Sequence, residues 1–206
     1  MLKTGGTLVV AYTVLLALSV YLGDDYTRFW FREYRWVLGW ALPEFEVEDL
    51  TLAIVQGDTV VRAKLTAIHV FYLGDREVPR GTEIVCSTLA GHAVLHPLLM
   101  IPLWLAWPGF SPVGRLAVPI LALPGWAAIE ALDIPLILAG SAWDLLLYQL
   151  APNELPHSPM VAWMHFMNGG GRSALSLAIG MLTLVASQTI LRFRLRVRKR
   201  FIKFLP

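Results

Sequence analysis

Four stretches of this 206-residue chain are apolar and long enough, or nearly so, to cross a lipid bilayer as helices, and no other feature limits its fold as much. A hydrocarbon core about 30 Å thick needs roughly 20 apolar residues in a helix. The stretches run from Thr7 to Gly23, Val85 to Trp107, Gly114 to Leu138 and Arg172 to Leu191. Composition agrees: 56% of the residues are apolar and 16% charged, where a soluble domain carries about a quarter charged. The expected fold is an α-helical membrane protein, a four-helix transmembrane bundle in a single membrane domain. The first stretch has only Lys3 before it and a poor cleavage signal at Ala17–Ser19, so it reads as an uncleaved anchor.

Basic residues set the orientation. The tail "RFRLRVRKRFIKFLP" holds seven Lys and Arg and no acid, which places it in the cytoplasm. Four crossings then put the N-terminus there too, with the short loop "PGFSPVGR" and its Arg115. Residues 24–83 fall outside, with seven basic and eleven acidic residues. The alternation of Arg192, Arg194, Arg196 and Arg198 with apolar residues reads first as a topology signal and second as an anionic-lipid contact. The expected location is the cytoplasmic (inner) membrane of a bacterium, with both termini cytoplasmic.

The outer insertion alternates apolar and polar residues on both sides of "QGD". Leu50, Leu52 and Ile54 share one face before it; Val61, Ala63, Leu65 and Ala67 share one after it. Period-two patterning around such a turn predicts a β-hairpin over about 45–71. The preceding "DDYTRFWFREYRWVLGWALP" has the tryptophan, tyrosine and arginine content of a segment at headgroup level. "SAWDLLLYQL" (Ser141 to Leu150) is too short to span and pairs with "MVAWMHFM" as a short interfacial or re-entrant helical hairpin.

Titratable groups gather toward the outer side. Cys86 is the only cysteine, so no intrachain disulfide forms. His92 and His96 lie one helical turn apart. Glu130 and Asp133 share a face at i, i+3, and His157, His165 and Arg172 follow. Each has an ordinary reading. Cys86 suits a small apolar filler. His96 can bond a carbonyl freed by Pro97. Asp133 can cap the helix resuming at Ile134-Pro135. "GGGR" (Gly169 to Arg172) can be a flexible entry to the last helix. Read as a ligand set, His92, His96, Glu130 and Asp133 would suit a divalent metal or a proton relay. No cofactor is otherwise expected: there is no HExxH, no Gly-rich phosphate loop after a strand and no heme-attachment motif.

The order of the parts carries one further reading. An outer hairpin leads into Cys-Ser at the head of a membrane helix. An outer polar segment follows, then a histidine before the last helix. This layout resembles the exosortase/archaeosortase family of membrane transpeptidases over roughly residues 45–190, with "EIVCSTLAGH" matching the family's Cys-Ser core. The resemblance implies Cys86 as nucleophile and His165 (or His157) as the histidine, acting on proteins with C-terminal sorting tails. The family's arginine follows an asparagine late in the third span. Here that stretch is "AAIEALDIP", with acids Glu130 and Asp133, and Arg172 is the substitute. A cysteine nucleophile needs a thiolate, which a nearby cation favours and burial or neighbouring carboxylates oppose. The chain therefore reads as a divergent or accessory relative: a non-catalytic envelope sorting or assembly partner, the alternative being an active cysteine transpeptidase or protease. Its expected partners are the lipid bilayer and an envelope protein or sorted substrate, not nucleic acid.

Overall fold

A computed structural model describes residues 2–108, 110 and 112–202. The side chains of the basic tail from residue 191, and parts of the loop around residues 109–114, lie outside the described residues, as does the lipid-contact expectation for the tail. The element order is α1 (Leu2–Phe29), α2 (Phe31–Ala41), β1 (Phe45–Val55), β2 (Asp58–Ala67), β3 (Phe71–Leu73), β4 (Arg76–Val78), β5 (Glu83–Leu89), α3 (Gly91–Ala106), α4 (Pro112–Leu132), α5 (Ile134–Leu150), α6 (Pro159–Phe166) and α7 (Arg172–Ile202). A 3-10 turn (Pro152–His157) joins α5 to α6.

The protein is mostly helical, and three helical stretches are long and apolar enough to cross a membrane: Gly5–Phe29, Val118–Leu150 and Pro159–Ile190. The latter two each run through a break in the helix. Large apolar side chains stand exposed along them, among them Val20 at 78% and Leu182 at 68%. Water does not tolerate apolar patches of that extent, and lipid does. The run expected to cross from residue 85 divides. Its first residues form β5, and only Gly91–Ala106 is helical, 16 residues or about 24 Å. The strand is legible in hindsight: along "EIVCSTL", Ile84, Cys86 and Thr88 face inward while Val85, Ser87 and Leu89 face out. A short apolar run flanked by a helix cannot be separated from it by hydropathy alone.

β1 and β2 form the expected hairpin, ending at Ala67 rather than residue 71. Its two-residue loop is Gln56-Gly57, closed by the Val55–Asp58 pair. Both loop residues have positive φ, 53° and 93°. That is the primed turn whose twist matches the strands, and glycine takes the second position without strain. β5 adds to the other side of β2, giving the antiparallel order β1-β2-β5. A second small hairpin, β3–β4, turns at Gly74-Asp75.

One face of this sheet is covered by helices. Leu50, Val61, Ala63, Leu65 and Cys86 pack with Tyr34, Leu38 and Leu42 from the α2 end and with Ile134, Leu138, Ala142 and Leu146 from α5. The hairpin thus gains the third strand and helical cover that two strands in water lack. α2 is amphipathic: Tyr34, Val37, Leu38 and Ala41 face this core, while Trp36 and Trp40, one turn apart, stand 74% and 75% exposed. That arrangement suits a helix lying at the headgroup boundary.

The expected third span, 114–138, is broken. α4 ends at Leu132, Asp133 leaves helical geometry (φ −93°, ψ −95°), and α5 runs on to Leu150. Ser141–Leu150 is therefore the second half of a 17-residue helix, not a separate short one. It packs against α6 as a helical hairpin. The approach is close at Gly140: a Cβ there would lie 2.7 Å from the Met160 carbonyl oxygen, so no larger residue fits without moving α6. Between α6 and α7 the chain makes one wide turn, Met167–Gly171, with Gly170 at φ 111°. A Cβ on Gly171 would strike the Phe166 ring. The "GGG" run serves a specific, closely packed turn rather than a flexible entry.

Candidate functional site

Four helices meet at Asp133. The break between α4 and α5 places this residue at the N-cap of α5, where a carboxylate ordinarily caps its own helix. It makes no such cap. Both of its oxygens instead accept from Arg172 Nε at the start of α7, at 2.9 and 2.7 Å. Oδ2 also lies 2.9 Å from His96 Nε2 on α3. On the far side of the ring, His96 Nδ1 is 2.8 Å from Ser176 Oγ, one turn along α7 from Arg172. His96, Asp133 and Ser176 are fully buried, and Arg172 is 5% exposed. Such polar groups at membrane depth are costly unless paired, and these pair across helices.

The order Ser176–His96–Asp133 has the pattern of a charge-relay triad without access to a substrate. Ser176 is fully buried, and its Oγ also lies 2.8 Å from the Arg172 carbonyl oxygen, to which it donates. An imidazole has two nitrogens to satisfy. Ser176 and Asp133 occupy both of those of His96.

Glu130 lies one turn before Asp133 and forms a second buried cluster. Its Oε1 accepts from Tyr26 and its Oε2 from Tyr34 at 2.6 Å. Trp126 Nε1 donates to the Tyr26 hydroxyl at 2.7 Å. The end of α1 and α2 thus anchor α4 through their phenols. Sequence reasoning missed Tyr26 and Tyr34 as partners because it read the segment as an undifferentiated interfacial belt. The two sit on different helices, either side of the break at Trp30, so helical spacing gave no signal that both face one acid.

Among the described residues His92 makes no hydrogen bond to either cluster; its Nδ1 lies 3.2 Å from Thr88 Oγ1 at the end of β5. The expected four-residue ligand set does not assemble. Among the described residues no group of three or more His, Cys, Asp or Glu side chains could hold a metal ion. Arg172 occupies the cationic position at Asp133, and two phenols take Glu130.

Cys86 lies in the middle of β5, opposite Ala63 of β2. It is 4% exposed, within the core between the sheet and α5. Burial pushes its thiol up to about 12. His165 and His157 are exposed on α6 and the turn before it. Among the described residues no hydrogen bond or ion pair joins Cys86 to His165, His157 or Arg172. The structure therefore does not bring the resemblance's nucleophile and histidine together. Arg172 serves Asp133 instead.

Above the Asp133 cluster, an open pocket of about 470 Å³ lies between the end of the sheet and the helices. Its polar lining is Ser87, Thr88, His92, Ser141, Asn168 and Arg172. Sequence reasoning did not bring these residues together, because they come from five segments that only the folded chain places side by side.

The chain matches no family model, no curated protein and no solved structure.

Proposed function

We propose that this chain is a non-catalytic membrane protein of the bacterial envelope, a sorting or assembly partner with exosortase-like layout. In this reading α1, α3, α4 and α7 cross the membrane, the sheet lies outside, and both termini are cytoplasmic. α3, at about 24 Å, is the short crossing. A short helix is accommodated by local thinning of the bilayer at modest cost. The α5–α6 hairpin then lies on the outer side, where α5 covers the sheet.

The observation that carries the non-catalytic reading is the setting of Cys86. A thiol pushed up to about 12 holds about a thousandfold less thiolate at neutral pH than one at the usual 9. No cation or imidazole bonds it among the described residues, and its side chain fills space between Ala63 and the helical cover. His96, Glu130, Asp133 and Ser176 in the interior bond to neighbours across helices, which supports an architectural use. The outer face supports a partner role: the hairpin tip leaves Ile54 79% exposed at the end of edge strand β1, and an apolar strand edge invites pairing.

Thiol labelling tests this directly. In the folded protein held in lipid nanodiscs at pH 7.5, iodoacetamide is expected to leave Cys86 essentially unmodified over an hour and to label it fully after SDS denaturation. A strain lacking the protein should be complemented by Cys86→Ala. Native labelling as fast as that of a free thiol, or loss of complementation, would overturn the proposal. Topology has its own test. A reporter active only in the cytoplasm should give signal when fused at the C-terminus and none when inserted after Gly57; the converse pattern would invert the orientation.

A further inference from the structure

We infer that the pocket between the sheet and the helix ends is a binding site for a carboxylate, with Arg172 as its cationic anchor. The inference goes beyond the partner role proposed above and stands on different residues from the thiol argument.

The guanidinium is only half used. Its Nε is bonded to Asp133, while Nη2 is buried with no hydrogen-bond partner. Leaving a charged donor buried and unpaired costs more than a typical hydrogen bond contributes. Such a group in a pocket-lining residue marks an acceptor still to come. The remaining polar lining is rich in neutral donors. Thr88 can donate to His92 Nδ1, which makes Nε2 the protonated nitrogen of that ring, and among the described contacts Nε2 has no partner. Ser87 and Asn168 are exposed side chains on the rim. Val60 and Ile137 supply apolar wall.

Charge and size select the ligand class. Arg172 and Asp133 together are neutral, so a dianionic phosphate would meet one guanidinium with a carboxylate directly behind it. A singly charged, planar carboxylate matches the free edge of the fork and takes its other bonds from neutral donors. A volume of about 470 Å³ is that of a small-molecule pocket, with room for a short chain end. The carboxylate thus comes from a small organic acid or from the C-terminus of a peptide.

Binding to the full chain in nanodiscs, followed by calorimetry, tests the assignment with four probes: acetate, N-acetyl-alanyl-alanine, its C-terminal amide, and inorganic phosphate. The free-acid dipeptide is expected to bind at least tenfold more tightly than its amide. Ser87→Trp, an outward-facing change that fills the pocket without entering the sheet core, should abolish binding. Arg172→Lys, which keeps a cation opposite Asp133, should weaken it about tenfold. Acetate competing as well as the dipeptide assigns the site to small acids, and a tenfold advantage for the dipeptide assigns it to chain termini; both support a carboxylate site. Equal binding of acid and amide, undiminished binding by Ser87→Trp or Arg172→Lys, or displacement of the dipeptide by phosphate would overturn it.

Discussion

Asp133→Ala is expected to destabilise the helical body by about 3–5 kcal/mol, the cost of breaking a buried ion pair from one side. Arg172 is almost wholly buried, and the two Asp133 oxygens are the only acceptors bonded to its guanidinium among the described residues. His96 loses its Nε2 partner in the same step. Because Nη2 already lacks a partner, the variant would leave a buried guanidinium with none. Asp133→Asn keeps one acceptor oxygen and should cost less. Asp133→Leu combined with Arg172→Met should recover most of the loss, since a well-packed apolar pair avoids the desolvation that the ions require. Unfolding of the purified chain in mixed micelles with increasing SDS measures all three. A shift below about 0.5 kcal/mol for Asp133→Ala would mean that the cluster does not hold the helices together.

Leu65→Ala is the second large effect, and it should be confined to the sheet and its helical cover. Leu65 is fully buried on β2, facing the helical cover of α2 and α5. In the proposed topology this region meets water rather than lipid, so deleting the side chain removes hydrophobic stabilisation and leaves a cavity, at about 2–5 kcal/mol. The basic residues Arg62, Lys64, Arg76 and Arg80 on and after β2 offer trypsin its sites. Cleavage that tracks the open population should rise about thirtyfold or more for a loss of 2 kcal/mol. Leu89→Ala, on the outward face of β5, should change it less than threefold. Equal protection of Leu65→Ala and the parent would contradict the sheet-on-helix core.

The two sites differ in what their stability depends on. Between helices in lipid there is little hydrophobic gain from association, because the tails are as apolar as leucine. There the Asp133 and Glu130 clusters provide specific contacts between α1, α2, α3, α4 and α7. In the sheet layer, which the proposed topology places in water, burial of Leu38, Leu65 and Leu138 does the corresponding work.

Read without any structure, the apolar runs already implied a membrane protein, because backbone polar groups in hydrocarbon demand helices and helices that long demand apolar side chains. The hairpin was legible too. Its alternation has period two, and Gln56-Gly57 sits where a tight turn must fall. Polar residues at depth announced that His96, Glu130 and Asp133 would face inward, since lipid would not take them. Their partners were decided only by the tertiary structure. Asp133 meets Arg172 across 39 positions of chain, and Glu130 meets Tyr26 and Tyr34 across about a hundred. No periodicity in a single sequence encodes which buried donor reaches which acid. The same limit governed Cys86. Its place beside a membrane helix was readable, but its fate as a filler depended on β5 pairing with β2 and closing over α5. Strand pairing is a long-range choice, settled by what covers the sheet and not by the seven residues of the strand itself.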